Sequence, residues 1–207
     1  MTYPAIILAG GKSKRMGQNK VILEIEGRPL IIHVLEALKK AGCESFLIQI
    51  KSKNDFELIS PLISDYNVKW GYDKSKKYDV LQALRLALIT AKKFKWECVQ
   101  LAPIDTPFVS PKLFQGLSKL LQNDLEAVIP FSNLSKNTPS SGYEPLLSCL
   151  KVEPTIKQID LISKNKDKRL AKIFDDLNHV IVEPKQWLAW GVTENSFKNL
   201  NYPMDLE

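Results

Sequence analysis

The segment from Gly10 to Lys20 (GGKSKRMGQNK) carries Lys12, Lys14, Arg15 and Lys20, three glycines and no acidic residue. Glycine has no side chain to hold a ligand away, so successive backbone N–H groups can converge on an anion while basic side chains neutralise its charge. That is phosphate chemistry. Two common phosphate loops do not fit the spacing. A Walker A loop continues from its last glycine into Lys and then Ser or Thr, whereas Gly17 is followed by Gln18 and Asn19. A dinucleotide loop needs alternate glycines, and Gly10 and Gly11 are adjacent. A second candidate is Asp105, in the stretch Pro103-Ile104-Asp105-Thr106-Pro107. A carboxylate on a turn stiffened by two prolines suits a divalent cation; magnesium takes one or two carboxylates and fills its remaining positions with substrate phosphates and water. Asp is also an ordinary turn former, and taken alone Asp105 leaves both roles open.

Other reactive side chains are sparse. Cys43, Cys98 and Cys149 lie far apart with no CxxC pair, and His33 and His179 complete no zinc-ligand spacing. The expected state is buried free thiols in a reducing compartment. Trp70, Trp96, Trp187 and Trp190 read as packing residues, and the lysine-rich run from Lys164 to Lys172 as a solvated helix face.

The elements that must position these residues alternate in period. Ala5 to Ala9 is a short, continuous apolar run, which reads as a strand buried on both faces and delivers the basic loop at its end. After Val21 to Ile25 and a turn at Glu26-Gly27-Arg28, Pro29 opens a helix that stops at Lys39-Lys40 and Gly42. Phe46 to Ile50 is a strand. Asn54 is the expected cap of a shorter helix towards Ile63, interrupted at Pro61. Val68 to Trp70 is a weak strand, and Asp79 caps a helix with apolar residues at 3.6 spacing through Ala91. Cys98 to Ala102 is a strand, Ser110-Pro111 starts a helix to about Gln122, and Glu126 to Phe131 is another strand. Ser132 to Gly142 is a polar loop of the kind used as a lid or substrate loop. Tyr143 to Leu150 reads as a strand, Pro154 to Leu177 as two helices broken near Asn165, and His179 to Val182 as a last strand.

This alternation predicts an α/β fold of three layers, α/β/α, with a mostly parallel, Rossmann-like sheet. The basic loop and Asp105 then share the carboxyl edge of the sheet, where open α/β folds bind ligands. The chain has 207 residues, 44% hydrophobic and 25% charged, which excludes disorder, collagen and coiled coil and suits one domain, residues 1–207. Within it, 1–130 is the expected nucleotide-binding part and 131–207 the acceptor-binding part. The net charge of +6 fits an anionic partner of any kind until its location is considered. Four of the basic side chains sit in one loop at a strand end, which favours a polyphosphate over nucleic acid or a membrane. The apolar stretch near Met1 precedes its basic residues and is too short for a secretory core, and no run approaches the ~20 apolar residues of a membrane span. The expected location is the cytoplasm.

Leu8-Ala9-Gly10-Gly11-Lys12-Ser13-Lys14-Arg15-Met16-Gly17, with Lys20, closely resembles the LAGGxSxRMGxxK signature of small nucleotidyltransferases, most closely the molybdenum cofactor guanylyltransferase family. Glu26 to Leu30, Ala102 to Pro107 (a CDTP-like metal motif) and Asn199 to Leu206 (an NxNTPxxL-like end) extend the resemblance over most of the chain. The resemblance implies a nucleotide-diphospho-sugar-transferase-like fold and Mg²⁺-dependent transfer of GMP from GTP to molybdopterin, with release of pyrophosphate. It also implies residue roles. Leu8, Ala9 and Gly10 would contact the nucleotide; Gly11, Arg15 and Lys20 would face its phosphates; Asp105 would bind Mg²⁺ with Asn201 as a second ligand. Arg15, Lys20 and Asp105 are the implied catalytic residues. Asp73 falls where the family places an acidic contact to guanine N1 and N2, and a polar nucleotide contact falls within Lys51-Ser52-Lys53-Asn54. The chain departs from the family at Asp79 to Ala83, which replaces a GPLAG-like helix start, and at Tyr143-Glu144-Pro145, which replaces a His-Pro. Cofactor-delivery or acceptor proteins are possible partners. The alternatives are cytidylyl or other nucleotidyl transfer to a different phosphorylated acceptor, and a non-catalytic nucleotide-binding accessory protein.

Overall fold

Four short apolar segments supply the centre of the fold: Ala5–Leu8 (β1), Phe46–Ile50 (β4), Val68–Tyr72 (β5) and Cys98–Pro103 (β6). The computed structural model describes residues 2–9, 23–75, 79–135, 141–164, 167 and 169–200. Between β1 and β4 lie a two-stranded antiparallel hairpin, Glu24–Ile25 (β2) and Arg28–Pro29 (β3), and the helix Leu30–Ala41 (α1). Pro29 belongs to the hairpin and caps the helix, so the helix opens one residue later than Pro29 as a first-turn residue would have it. Its end is as the sequence signals: Gly42 takes φ 104°, and its N–H returns to the last turn of α1.

β5, β4, β1 and β6 run parallel to one another. Beyond β6 the sheet continues through Cys149–Lys151 (β8), Ala127–Pro130 (β7) and His179–Val182 (β9), giving the order β5-β4-β1-β6-β8-β7-β9 over seven strands. β8 is antiparallel to both neighbours, and β9 is parallel to β7. The sheet is therefore mostly parallel, and strands from both halves of the chain share it.

Alternate residues of the buried strands feed two apolar cores. Ala5, Ile7, Ile48 and Ile50 face α1, the helix Pro111–Leu120 (α4) and Trp187 of Pro184–Ala189 (α6). Ile6, Leu47, Val99 and Leu101 face Val80–Lys93 (α3) and Val152–Ile162 (α5). Each fully buried Leu or Ile contributes roughly 1.5–3 kcal/mol of transfer free energy, and this is what holds helices on both faces. The result is the three-layer α/β/α arrangement.

Local capping explains the helix starts. Asp79 accepts from the N–H groups of Leu81 and Gln82 and starts α3, and Ser110 accepts from Lys112 and starts α4. For Lys53–Ile59 (α2) the cap is Ser52, in a reciprocal capping box with Asp55, and not Asn54. Pro61 ends this helix in a tighter 3₁₀ turn, Ser60–Ile63.

Two further expectations are corrected. Tyr143 to Leu150 is not one strand: Tyr143 bridges Phe131, Pro145–Leu147 is a 3₁₀ turn, and only Cys149–Lys151 pairs in the sheet. Past Ile162, the second expected helix is a 3₁₀ turn, Leu170–Phe174. In the described part of the basic run, Arg169 and Lys172 form exposed ion pairs with Asp167 and Asp175. Cys43 and Cys149 are buried, Cys98 is half-buried and all three are free; burial pushes the Cys43 thiol up to about 11. Among the described residues no helix is long and apolar enough to cross a membrane.

Candidate active site

From β1 the chain moves outward to β4 and β5 on one side, then returns through α3 to β6 on the other. The order reverses between β1 and β6, so the topological switch point lies at their carboxyl ends, where open α/β sheets hold ligands in a crevice. Leu8 marks this level: it pairs with Gln49 of β4 and with Pro103 of β6. Ala9, next in sequence, donates its N–H to the Gln49 carbonyl at 2.9 Å and is buried. The strand thus stays in register up to the residue before the basic loop. Gly10, Gly11, Arg15 and Lys20 lie outside the described residues, as does Asn201.

Asp105 stands two residues beyond Pro103, on the β6 side of the crevice. Its loop is braced from within: the Thr106 hydroxyl donates to the Pro103 carbonyl at 3.3 Å, and the Val109 N–H donates to the Thr106 carbonyl at 3.2 Å. Thr106 is buried, which fixes the turn from below and leaves Asp105 half-buried at the rim. The Leu200 N–H donates to the Asp105 carbonyl at 2.9 Å, so the chain immediately before Asn201 returns to this loop. Among the described residues no group of three or more His, Cys, Asp or Glu side chains is placed to hold a metal ion. A single carboxylate at a ligand crevice suits Mg²⁺, whose other positions go to phosphates and water, and does not suit an ion caged by protein alone.

On the other side of the crevice, β4 and β5 place four residues in a square. Gln49 pairs with Gly71, and two residues further along each strand come Lys51 and Asp73. The Asp73 N–H donates to the Ile50 carbonyl at 2.8 Å, which carries the pairing past the strand ends. Lys51 Nζ lies 3.4 Å from Asp73 Oδ2 and donates to Ser75 Oγ at 3.4 Å; the Ser75 N–H donates to Asp73 Oδ1 at 2.9 Å. Burial pushes the Asp73 carboxyl up, but the hydrogen bonds from Ser75 and the charge of Lys51 outweigh it and hold the group below its ordinary value. Asp73 is therefore ionised at neutral pH although its side chain is only 3% exposed.

Gln49 is a candidate site residue that motif reading does not single out. It is 1% exposed, and among the described residues neither its Oε1 nor its Nε2 has a hydrogen-bond partner. A carboxamide buried in this state costs about 1–3 kcal/mol and in a native core asks for an explanation. Gly71 makes room for it, since a Cβ there would collide with Gln49 Oε1. Of the expected polar contacts in Lys51 to Asn54, Lys51 faces Asp73, Ser52 is engaged in its capping box, and Lys53 and Asn54 are exposed on α2. The sequence signal for Gln49 is faint: a Gln inside an otherwise apolar buried strand, at period two with Lys51.

A profile described as "MobA-like NTP transferase domain" matches residues 5–180. A "Probable molybdenum cofactor guanylyltransferase" of Methanosarcina mazei is 25% identical, with 98% of this chain and 88% of that one covered. Among solved structures, molybdopterin-guanine dinucleotide biosynthesis protein A from Archaeoglobus fulgidus superposes with a TM-score of 0.72 at 22% identity, covering 98% of this chain and 94% of that one. The 4-diphosphocytidyl-2C-methyl-D-erythritol synthase of Anaerococcus prevotii shares the fold at a TM-score of 0.69 and 18% identity, covering 98% and 94%. With the profile spanning most of its length, the chain belongs to the MobA-like NTP transferase domain family and is a nucleotidyltransferase.

Proposed function

We propose that this nucleotidyltransferase transfers GMP from GTP to the terminal phosphate of molybdopterin, with Mg²⁺ as its metal cofactor. The observation that carries the reading is the layout of the crevice. Asp105 stands on the β6 side, Leu8 and Ala9 form the floor at the switch point, and the Gln49–Lys51–Asp73 group stands on the β4–β5 side. A nucleotide lying across β1 would have its phosphates towards Asp105 and its base towards Lys51 and Asp73. The acceptor phosphate oxygen forms a bond to the α-phosphorus of GTP, and the bond to the β-phosphate oxygen breaks, so pyrophosphate leaves with its electron pair. Such a transfer asks the protein for positioning and charge neutralisation more than for covalent work.

The roles divide accordingly. Leu8, Ala9, Gly10 and Gly11 bring backbone close to the nucleotide; Arg15 and Lys20 neutralise the phosphates; Asp73 belongs to the base end. Asp105 would hold Mg²⁺, with Asn201 as a second ligand, and the bound ion would offset charge on the phosphates. The Leu200 tether supports that pairing, because it brings the residue before Asn201 to the Asp105 loop.

The test is pyrophosphate release with molybdopterin and each of GTP, CTP, ATP and UTP in turn. Release with GTP, lost in an Asp105→Ala variant, is the expected result. Turnover with CTP and none with GTP would replace guanylyl by cytidylyl transfer, and GTP binding with release no greater than that of Asp105→Ala would make the protein a non-catalytic nucleotide binder.

A further inference from the structure

At the base end of the crevice, the two charged groups are not equally accessible. The Asp73 side chain is 3% exposed and its two oxygens accept from Ser75 N–H and Lys51, whereas the Lys51 side chain is 19% exposed. Of the two charged side chains, the lysine is the one solvent reaches more. An ammonium only donates hydrogen bonds.

We propose that Lys51 reads position 6 of the purine, donating to a carbonyl oxygen there, and that Asp73 is a positioning residue that acts through Lys51. The inference rests on the nucleotide reading of this edge and adds to it the residue that selects the base. Guanine and hypoxanthine present an oxygen at position 6. Adenine presents an amino group, which sets donor against donor, and 2-aminopurine presents only C–H. Asp73 and Ser75 hold the Lys51 ammonium in place, so less of its freedom is lost on binding. Gln49 gives this placement independent support. It lies two residues before Lys51 on β4, beside Gly71 and in line with Leu8, and it is a buried polar side chain whose donor and acceptor both lack a partner among the described residues. A carboxamide in that state beside an anchored ammonium supplies what a heteroaromatic base edge needs, one mixed donor–acceptor group and one strong donor.

Direct contact between Asp73 and the guanine N1 and N2 hydrogens makes a different prediction, and nucleotide analogues separate the two. Equilibrium binding of GTP, ITP, 2-aminopurine riboside triphosphate and ATP is measured by titration calorimetry on the wild type, Lys51→Met, Lys51→Arg, Asp73→Asn and the Lys51→Met/Asp73→Asn double variant. The wild type is expected to bind GTP and ITP alike, and 2-aminopurine riboside triphosphate and ATP about tenfold or more weaker, the scale of a hydrogen bond to a charged group. Lys51→Met weakens GTP and ITP selectively and brings all four within about threefold of one another on that scale, while Lys51→Arg keeps the preference. The double variant binds GTP no worse than Lys51→Met alone, which a separate structural role for Asp73 would not give. Selectivity for the 6-oxygen that survives in Lys51→Met overturns the inference, as does a wild type in which ITP is weakened relative to GTP and Asp73→Asn removes that difference. If folded wild type binds none of the four, the nucleotide reading itself fails and this inference with it; binding with a preference indifferent to Lys51 leaves that reading standing and removes only this one.

Discussion

The Leu200 N–H and the Asp105 carbonyl are hydrogen-bonded at 2.9 Å, joining residues 95 positions apart at the carboxyl end of β6. Leu200 is fully buried, in the same core as Trp187 and Phe197, whose rings lie 5.1 Å apart. The end of the described chain is thus part of the wall that positions the metal-binding candidate. Leu200, in the described start of the terminal motif, therefore has a physical role. Apolar packing holds it in the core, and one backbone bond ties it to the Asp105 loop.

Leu200→Ala accordingly acts on both stability and the site. Removing a buried leucine side chain costs about 2–5 kcal/mol, depending on how far the cavity collapses. Urea unfolding is expected to show a loss in that range, with Leu200→Met close to wild type because volume is kept. Pyrophosphate release by the folded fraction of Leu200→Ala is expected to fall as well. A variant as stable and as active as wild type would mean that the tail anchors nothing.

Asp105→Ala separates the site from the scaffold more sharply. The hydrogen bonds from the Thr106 hydroxyl to Pro103, from the Val109 N–H to Thr106 and from the Leu200 N–H to the Asp105 carbonyl do not involve the carboxylate and remain available in the variant. Thermal unfolding is expected to show a folded variant with a single cooperative transition. Pyrophosphate release is expected to drop on the order of 10²–10³-fold, the scale of losing one preorganised electrostatic group. Release kept within tenfold of wild type would remove Asp105 from the metal-binding role.

Much of this wall is legible in the sequence. The Ala5 to Ala9 run, the caps Asp79 and Ser110 and the stop at Gly42 are local signals, each confined to a few neighbouring residues; the strand ends one residue earlier, at Leu8, and the others are where the sequence puts them. Strand direction is not a local signal. Hydrophobic periodicity is the same in parallel and antiparallel strands, so nothing in Cys149-Leu150-Lys151 announces that β8 runs against β6 and β7. Gln49 is hidden for a similar reason. In Phe46-Leu47-Ile48-Gln49-Ile50 it interrupts a buried strand, and only its register against Leu8 and Gly71 shows that it sits at the crevice. The Lys51–Asp73 pair likewise needs two strands, 22 residues apart in the chain, to be laid side by side.

That pair has a consequence for acid stability. The folded pKa of Asp73 is held below its unfolded value of 3.8, so the unfolded state takes up the proton first as pH falls. The contribution of the ionised group to stability is complete above that unfolded value and is lost as pH drops from there through the lower folded value. The stability difference between wild type and Asp73→Asn is therefore expected to be constant from pH 7 down to about 5 and to shrink below about 4. Urea midpoints measured at pH 7, 5, 4 and 3 check this. A difference that grows on acidification would mean that burial, and not Ser75 and Lys51, dominates the titration.

Gln49→Met tests whether the crevice is built for a ligand at the expense of the fold. Methionine is close in volume, carries no polar atom that must be satisfied, and adapts its shape to the space beside Gly71. Replacing an unpartnered buried carboxamide by such a side chain removes a desolvation penalty of about 1–3 kcal/mol, so the variant is expected to be more stable than wild type by an amount within that range. Its affinity for GTP is expected to fall at the same time, because the group that offered a donor and an acceptor to the base is gone. Denaturant unfolding and nucleotide titration on the same preparation read both quantities. The two signs together distinguish a functional residue from a packing residue: a structural glutamine would lose stability on substitution, and an idle one would gain stability with no loss of binding. A gain in stability coupled to weaker binding is the signature of a polar group kept buried for the ligand it meets.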